Sequence, residues 1–125
     1  MTGSSLIRTY KELKFWQTAK QTSLLIALLI KKLPNERTSW IISDQILRSS
    51  FSIGANIAEG FGKFKGKEYQ RFLLIALGSA NETEYWLELL IDLCPSLRSE
   101  IMNVLDKNKE TIKMLSASLK TLRLK

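Results

Sequence analysis

Within residues 56–72, NIAEGFGKFKGKEYQRF, three glycines (Gly60, Gly62, Gly66) alternate with Lys63, Lys65, Lys67 and Arg71, and carboxylates flank them at Glu59 and Glu68. Glycines beside lysines suit a cradle for phosphate, and paired carboxylates suit acid–base chemistry. A phosphate loop of the G-x-x-x-x-G-K-[ST] type needs four residues between its glycines and a hydroxyl after the lysine. Here three residues separate Gly62 from Gly66, and Glu68 follows Lys67. The dinucleotide pattern G-x-G-x-x-G fails by the same kind of margin, since three residues stand between Gly62 and Gly66 where two belong.

Glu59 and Glu68 fall at the end of one predicted helix and the start of the next, and the dipole of the second helix favours Glu68 there without any catalytic role. A di-iron site of the helical-bundle kind draws on Glu-x-x-His motifs, and the chain has no histidine. With one cysteine, Cys94, the usual zinc sites and any intramolecular disulfide are excluded as well. Cys94 stands among Leu93 and Pro95, the setting of a buried, inert thiol. The chain therefore reads as non-catalytic, with no metal and no cofactor.

The positive charge calls for another explanation. Over 125 residues the net charge is +7, and it is unevenly placed. Residues 8–20 carry Arg8, Lys11, Lys14 and Lys20 against Glu12, and residues 107–125 carry six bases against Glu110. Residues 72–97 have no lysine or arginine and hold Glu82, Glu84, Glu88 and Asp92. Such an excess marks either a polyanion site or a solvated basic surface. The residues singled out for RNA are Lys63, Lys65, Lys67 and Arg71, supported by Arg8, Lys11 and Lys14. Phe61, Phe64 and Tyr69 interleave with them and either stack on unpaired bases or cover the end of the fold.

Helices must position these residues. Pro34, Pro95 and the glycine cluster cut residues 10–122 into segments of about 10–33, 38–59, 67–93 and 97–122, after a flexible stretch at 1–9. In the third, Tyr69, Leu73, Ala76, Ala80, Thr83, Leu87, Leu90 and Cys94 step alternately by four and three, a coiled-coil-like seam. The first carries Leu13, Trp16, Ala19, Ser23, Ile26 and Ile30 at helical spacing, and the second is expected to stop at Glu59, where Gly60 and Gly62 permit a left-handed turn. Short joints force neighbours antiparallel, so the prediction is a single-domain, all-α, up-down-up-down four-helix bundle. The longest apolar run, residues 24–30, is far too short to cross a membrane. No signal-peptide pattern opens the chain, and a cytoplasmic location is the expectation.

A polar line crosses the second and third helices. Gln45, Ser49, Ser52, Asn56 and Glu59 share one face with Arg48 beside it, and Glu68, Ser79 and Glu82 share a face of the third. The expectation is a partly buried network in which Arg48 and Asn56 meet Glu59, Glu68 or Glu82, setting register and assembly rather than catalysing anything. Glu84, Glu88 and Asp92 form an acidic row, either solvated or paired with a basic helix of another copy.

The runs DQILRSSFSIGANIAEGFGK (residues 44–63) and KEYQRFLLIALGSANETEYWL (67–87), with LKFWQTA at 13–19, resemble the four-helix-bundle proteins named after intervening sequences in bacterial large-subunit ribosomal RNA genes. The resemblance implies a non-enzymatic bundle that assembles as a homopentamer. It also implies kinship with the accessory variability proteins of diversity-generating retroelements, basic bundles that bind a reverse transcriptase and its template RNA. Arg48, Ser52, Asn56, Glu59, Gly60, Ser79 and Glu82 stand where the family pattern has them, as residues of fold and assembly. Three functional classes follow: an RNA-binding scaffold, an adaptor that docks a reverse transcriptase, and a bare structural bundle.

Overall fold

The computed structural model describes residues 7–63 and 66–123. Helix α1 spans Lys14–Leu29, α2 Arg37–Lys63, α3 Gly66–Leu93 and α4 Arg98–Arg123. Ahead of α1 a 3-10 turn, Tyr10–Glu12, is closed by a reciprocal cap: Thr9 accepts from the Lys11 amide, and the Glu12 carboxylate accepts from the amides of Arg8 and Thr9. After Leu29 the chain tightens into a 3-10 turn, Ile30–Lys32. Leu33 is then extended, as the residue before a proline must be. Pro95 opens another 3-10 turn, Pro95–Leu97, from which α4 departs.

Each helix packs on two others: α1 on α2 and α4, α3 on α2 and α4. This is the expected four-helix bundle, with α1 and α3 on one diagonal. The seam of α3 is buried as its period requires, at Leu73, Ala76, Ala80, Thr83, Leu87 and Leu90. In α1 the buried face is rotated by about one residue from the expected stripe. Phe15, Ala19, Thr22, Ile26 and Leu29 point inward, while Trp16, Ser23 and Ile30 are half-buried at the flank. Apolar residues occur all round this helix, so periodicity locates its inner face only loosely.

Gly60 does not end α2, which continues through it to Lys63. It is buried where α2 meets α3, and a Cβ there would stand 2.7 Å from the Cβ of Phe72. Close approach of two helices, not a left-handed turn, requires glycine at this position. The left-handed conformation belongs to Gly66, with φ of 58° at the start of α3.

The apolar core divides in two. One cluster gathers Ile26, Ile42, Ile46, Leu87, Leu90, Ile101 and Leu105 towards the Pro34 end. The other gathers Phe15, Ala19, Ile53, Ile57, Leu73, Leu115 and Leu119 towards the Gly66 end. Between them every helix contributes buried polar side chains: Thr22, Ser49 and Ser50, Thr83, Asn108 and Thr111. Thr18 and Thr111 hydroxyls bond at 2.6 Å, Ser49 and Thr83 at 2.8 Å, Ser23 donates to the Ser50 carbonyl at 3.1 Å, and Asn108 Nδ2 donates to the Ala80 carbonyl at 2.9 Å. These bonds link α4 to α1, α2 to α3, α1 to α2 and α4 to α3. The layer fixes the axial register of all the helices, because a slip by one turn would strand each group in an apolar cluster.

Candidate nucleic-acid interface

The antiparallel arrangement brings distant stretches of basic sequence to one end. Leu13, Trp16, Tyr69 and Leu122 all pack against the cluster built on Phe15, Ile57, Leu73 and Leu119. The start of α1, the end of α2, the start of α3 and the end of α4 therefore share that end. Arg8, Lys11, Lys14, Lys63, Lys67 and Arg71 are all exposed around it. Lys65 and Phe64 lie outside the described residues. Lys120 and Arg123, on the last turn of α4, join the same end. Arg123 lines a groove with Gln70 and Leu74 of α3.

Arg71 is partly engaged: its guanidinium donates to Glu68 at 3.2 Å and lies 4.6 Å from the centre of the Phe72 ring. For the remaining exposed cations of this end no ion pair forms among the described residues, so their charge faces solvent. Phe61 and Tyr69 are half-buried, and burial pushes the Tyr69 phenol above its usual pKa. The Tyr69 ring packs against the apolar cluster at this end and forms part of its floor.

The polar line of α2 and α3 is a ladder along the groove between them, and its partners differ from the expected ones. Arg48 donates to Glu82 and, at 2.9 Å, to Gln45. Ser52 pairs with Ser79 at 2.9 Å. Asn56 donates to Ser52, to its carbonyl at 2.8 Å and its hydroxyl at 2.9 Å, and meets none of the three acids. Glu68 turns to Arg71 on its own helix, and Glu59 is exposed near the end of α2. The two acids sit at helix ends, beyond the groove, so shared spacing does not bring them to Arg48.

Glu82 accepts from Trp86 Nε1 at 3.0 Å, and this bond, with Arg48 beside it, holds its carboxyl below the ordinary range despite partial burial. A depressed folded-state pKa stabilises the fold above the unfolded carboxylate value of about 4.3 and is lost as pH falls through the folded value. In an acid titration followed by thermal melting, Glu82→Gln is expected to show a shallower loss of Tm than the wild type below about pH 4.3. Parallel curves would mean that the ladder contributes nothing to acid sensitivity.

Burial, and secondarily the charge of Glu36, raise the Cys94 thiol above its usual pKa, which lowers its thiolate fraction. Among the described residues no group of three or more His, Cys, Asp or Glu is placed to hold a metal ion, and no helix is long and apolar enough to cross a membrane.

Fold and site together define a basic antiparallel helical bundle with its cations gathered at one end and a polar ladder on one flank. The model of the 23S rRNA-intervening sequence protein family matches residues 11–117, and the chain belongs to that family. A crystal structure of a protein of unknown function from the S23 ribosomal protein family of Bacteroides thetaiotaomicron is similar, with 38% identity and a TM-score of 0.77. The match covers 85% of this chain and 98% of that one. No curated protein matches the chain.

Sequence spacing points to Arg8, Lys11 and Lys14 beside the Gly66 joint and does not single out Lys120 and Arg123. The signal was present as a basic run after Lys107. Only antiparallel packing shows that its last turn, and not its middle, reaches the other cations.

Proposed function

We propose that this protein is a non-catalytic, self-assembling bundle that binds RNA through the basic end, alone or together with an RNA-bound protein such as a reverse transcriptase. The observation that carries this reading is the convergence of exposed cations from α1, α2, α3 and α4 on one end, at Lys14, Lys63, Lys67 and Lys120. The family name, with its reference to 23S rRNA, agrees with an RNA partner. Lysines on an open surface contact phosphates and do not read base edges, so affinity is mainly electrostatic and carries little sequence preference. A ring of copies repeats the patch, and one RNA spanning several subunits gains by avidity. The absence of histidine supports a binding role over general acid–base catalysis.

The test is RNA binding by nuclease-treated protein across a salt series, with duplex DNA alongside. If six to ten phosphates are contacted, affinity falls by about 10³–10⁵ between 50 and 200 mM salt. Lys63/Lys65/Lys67→Ala is expected to flatten the log–log slope by about two to three, and Lys120/Arg123→Ala by about one to two. No binding at modest salt overturns direct RNA recognition and directs the search to a protein partner. That alternative has its own observation, the exposed Trp40, Ile41 and Phe51 on α2.

A further inference from the structure

Helix α1 and the 3-10 turn after it contain no acid and carry Lys14, Lys20, Lys31 and Lys32, whereas α3 from Phe72 onward contains no base and carries four acids. Within one chain the two helices lie on a diagonal and do not pack together, so their opposite charges cannot meet. Of these groups Lys32 is paired with Glu100 and Glu82 with Arg48. Lys20, Lys31, Glu84, Glu88 and Asp92 form no ion pair among the described residues, although Lys20 lies 5.6 Å from the Trp16 ring centre.

Each charged row is interleaved with apolar side chains left in solvent. Leu24 and Leu28 on α1 are 57% and 58% exposed, at a spacing that puts them in line with Lys20 and Lys31. Tyr85 on α3 is 57% exposed and in line with Glu88 and Asp92. Apolar groups in line and rimmed by charged ones have the pattern of a protein-contact surface.

The axial positions also agree, to within about two residues or roughly 3 Å. Neighbouring helices are antiparallel, so Ser23 level with Ser50 puts Leu24 level with Ser49, and Ser49 level with Thr83 makes Leu24 and Thr83 the common zero marks. Counted along the chain from them, Leu24 stands at zero and Tyr85 at two, Leu28 at four and Glu88 at five, and Lys31 at seven and Asp92 at nine. Because α1 and α3 run in the same direction, a neighbour placed side by side without sliding along the helix axis brings the members of each pair to within about two residues, roughly 3 Å, a gap that side chains span. A cyclic assembly demands this, since closed rotation leaves no axial translation.

We infer that α1 of one copy docks on α3 of the next, Leu24 and Leu28 against Tyr85 and Glu88, with Lys20 and Lys31 facing the Glu84–Asp92 row. The occupant of each face is a second copy of this chain, and the contact is heterologous, so its repetition builds a ring if the rotation closes. The inference rests on the self-assembly proposed above and adds where it occurs.

The experiment is the solution mass of the full, nuclease-treated chain by light scattering, for four proteins. They are the wild type, Glu88→Lys/Asp92→Lys, Lys20→Glu/Lys31→Glu, and the combined charge-swapped chain. All substitutions are on exposed positions, and circular dichroism checks that each variant is folded. The expected result is an assembled wild type, collapse of both double variants to the 14.3 kDa single chain, and recovery of the assembly in the combined variant. An assembled wild type whose mass survives both double variants overturns this docking while self-assembly stands. Failure of the combined variant to recover overturns direct pairing of the two rows. A monomeric wild type overturns docking and self-assembly together, and the RNA measurement, made separately, still decides the other half of the proposed function.

Discussion

Asn108→Asp is expected to destabilise the bundle by about 3–5 kcal/mol at neutral pH, the cost of an uncompensated buried charge. The Asn108 side chain is fully buried, its Nδ2 donates to the Ala80 carbonyl at 2.9 Å, and its Oδ1 has no partner among the described residues. Aspartate removes the donor and sets a negative charge against a carbonyl oxygen. Burial raises the pKa of such a carboxyl in the folded state, so the loss is greatest above that value and shrinks as pH falls through it. Asn108→Leu should behave in the opposite way. It deletes an orphaned acceptor, and Ala80 keeps its place in the α3 hydrogen-bond ladder, so stability should hold or rise. Urea unfolding of the three proteins at pH 7 and pH 5 separates these cases. An aspartate variant as stable as the wild type would mean that the layer is open to water. Against a total stability of roughly 5–15 kcal/mol for a domain, the predicted loss is large.

Gly60→Ala is the second substitution with a large expected effect, and its sign runs against helix propensity. In a helix interior, alanine for glycine gains about 1 kcal/mol. At Gly60 the new methyl would lie 2.7 Å from Phe72 Cβ and 3.5 Å from Tyr69 Cδ1. Two helices would have to separate at the bundle end, and overpacking of that kind costs about 1–3 kcal/mol. A net loss follows, together with displacement of Phe72, over which the Arg71 guanidinium sits. Gly62 is the control: it is on the same helix, and nothing lies within 4 Å of a Cβ built there, so Gly62→Ala should be stabilising. Thermal unfolding of the two variants beside the wild type checks this. A stabilised Gly60→Ala would show that α2 and α3 have room to spare where they converge.

Helix number and order, and the joints at Pro34 and Pro95, were legible because their signals are local. Pro34 and Pro95 end helices by stereochemistry, and the seam of α3 keeps its period over six buried positions. Other features were misplaced because the relevant partner is remote in sequence. Gly60 looks like a helix stop until Phe72 is brought against it. Asn56 and Glu59 share a face with Arg48, yet one bonds Ser52 and the other lies in solvent. On α4, Asn108 and Thr111 occupy core positions that a search for apolar residues passes over.

The sequence by itself determined an antiparallel helical bundle, a basic character and the absence of histidine chemistry, since period, charge and composition are properties of the chain in one dimension. Tertiary structure alone decided that the bundle's middle is polar on all four helices and that cations from both ends of the chain share one surface. It also decided that the basic α1 and acidic α3 are kept apart within a subunit. The physical reason is common to all three. A buried hydroxyl, an exposed lysine and an unpaired row of carboxylates acquire their energies from neighbours tens of residues away, and only packing chooses those neighbours.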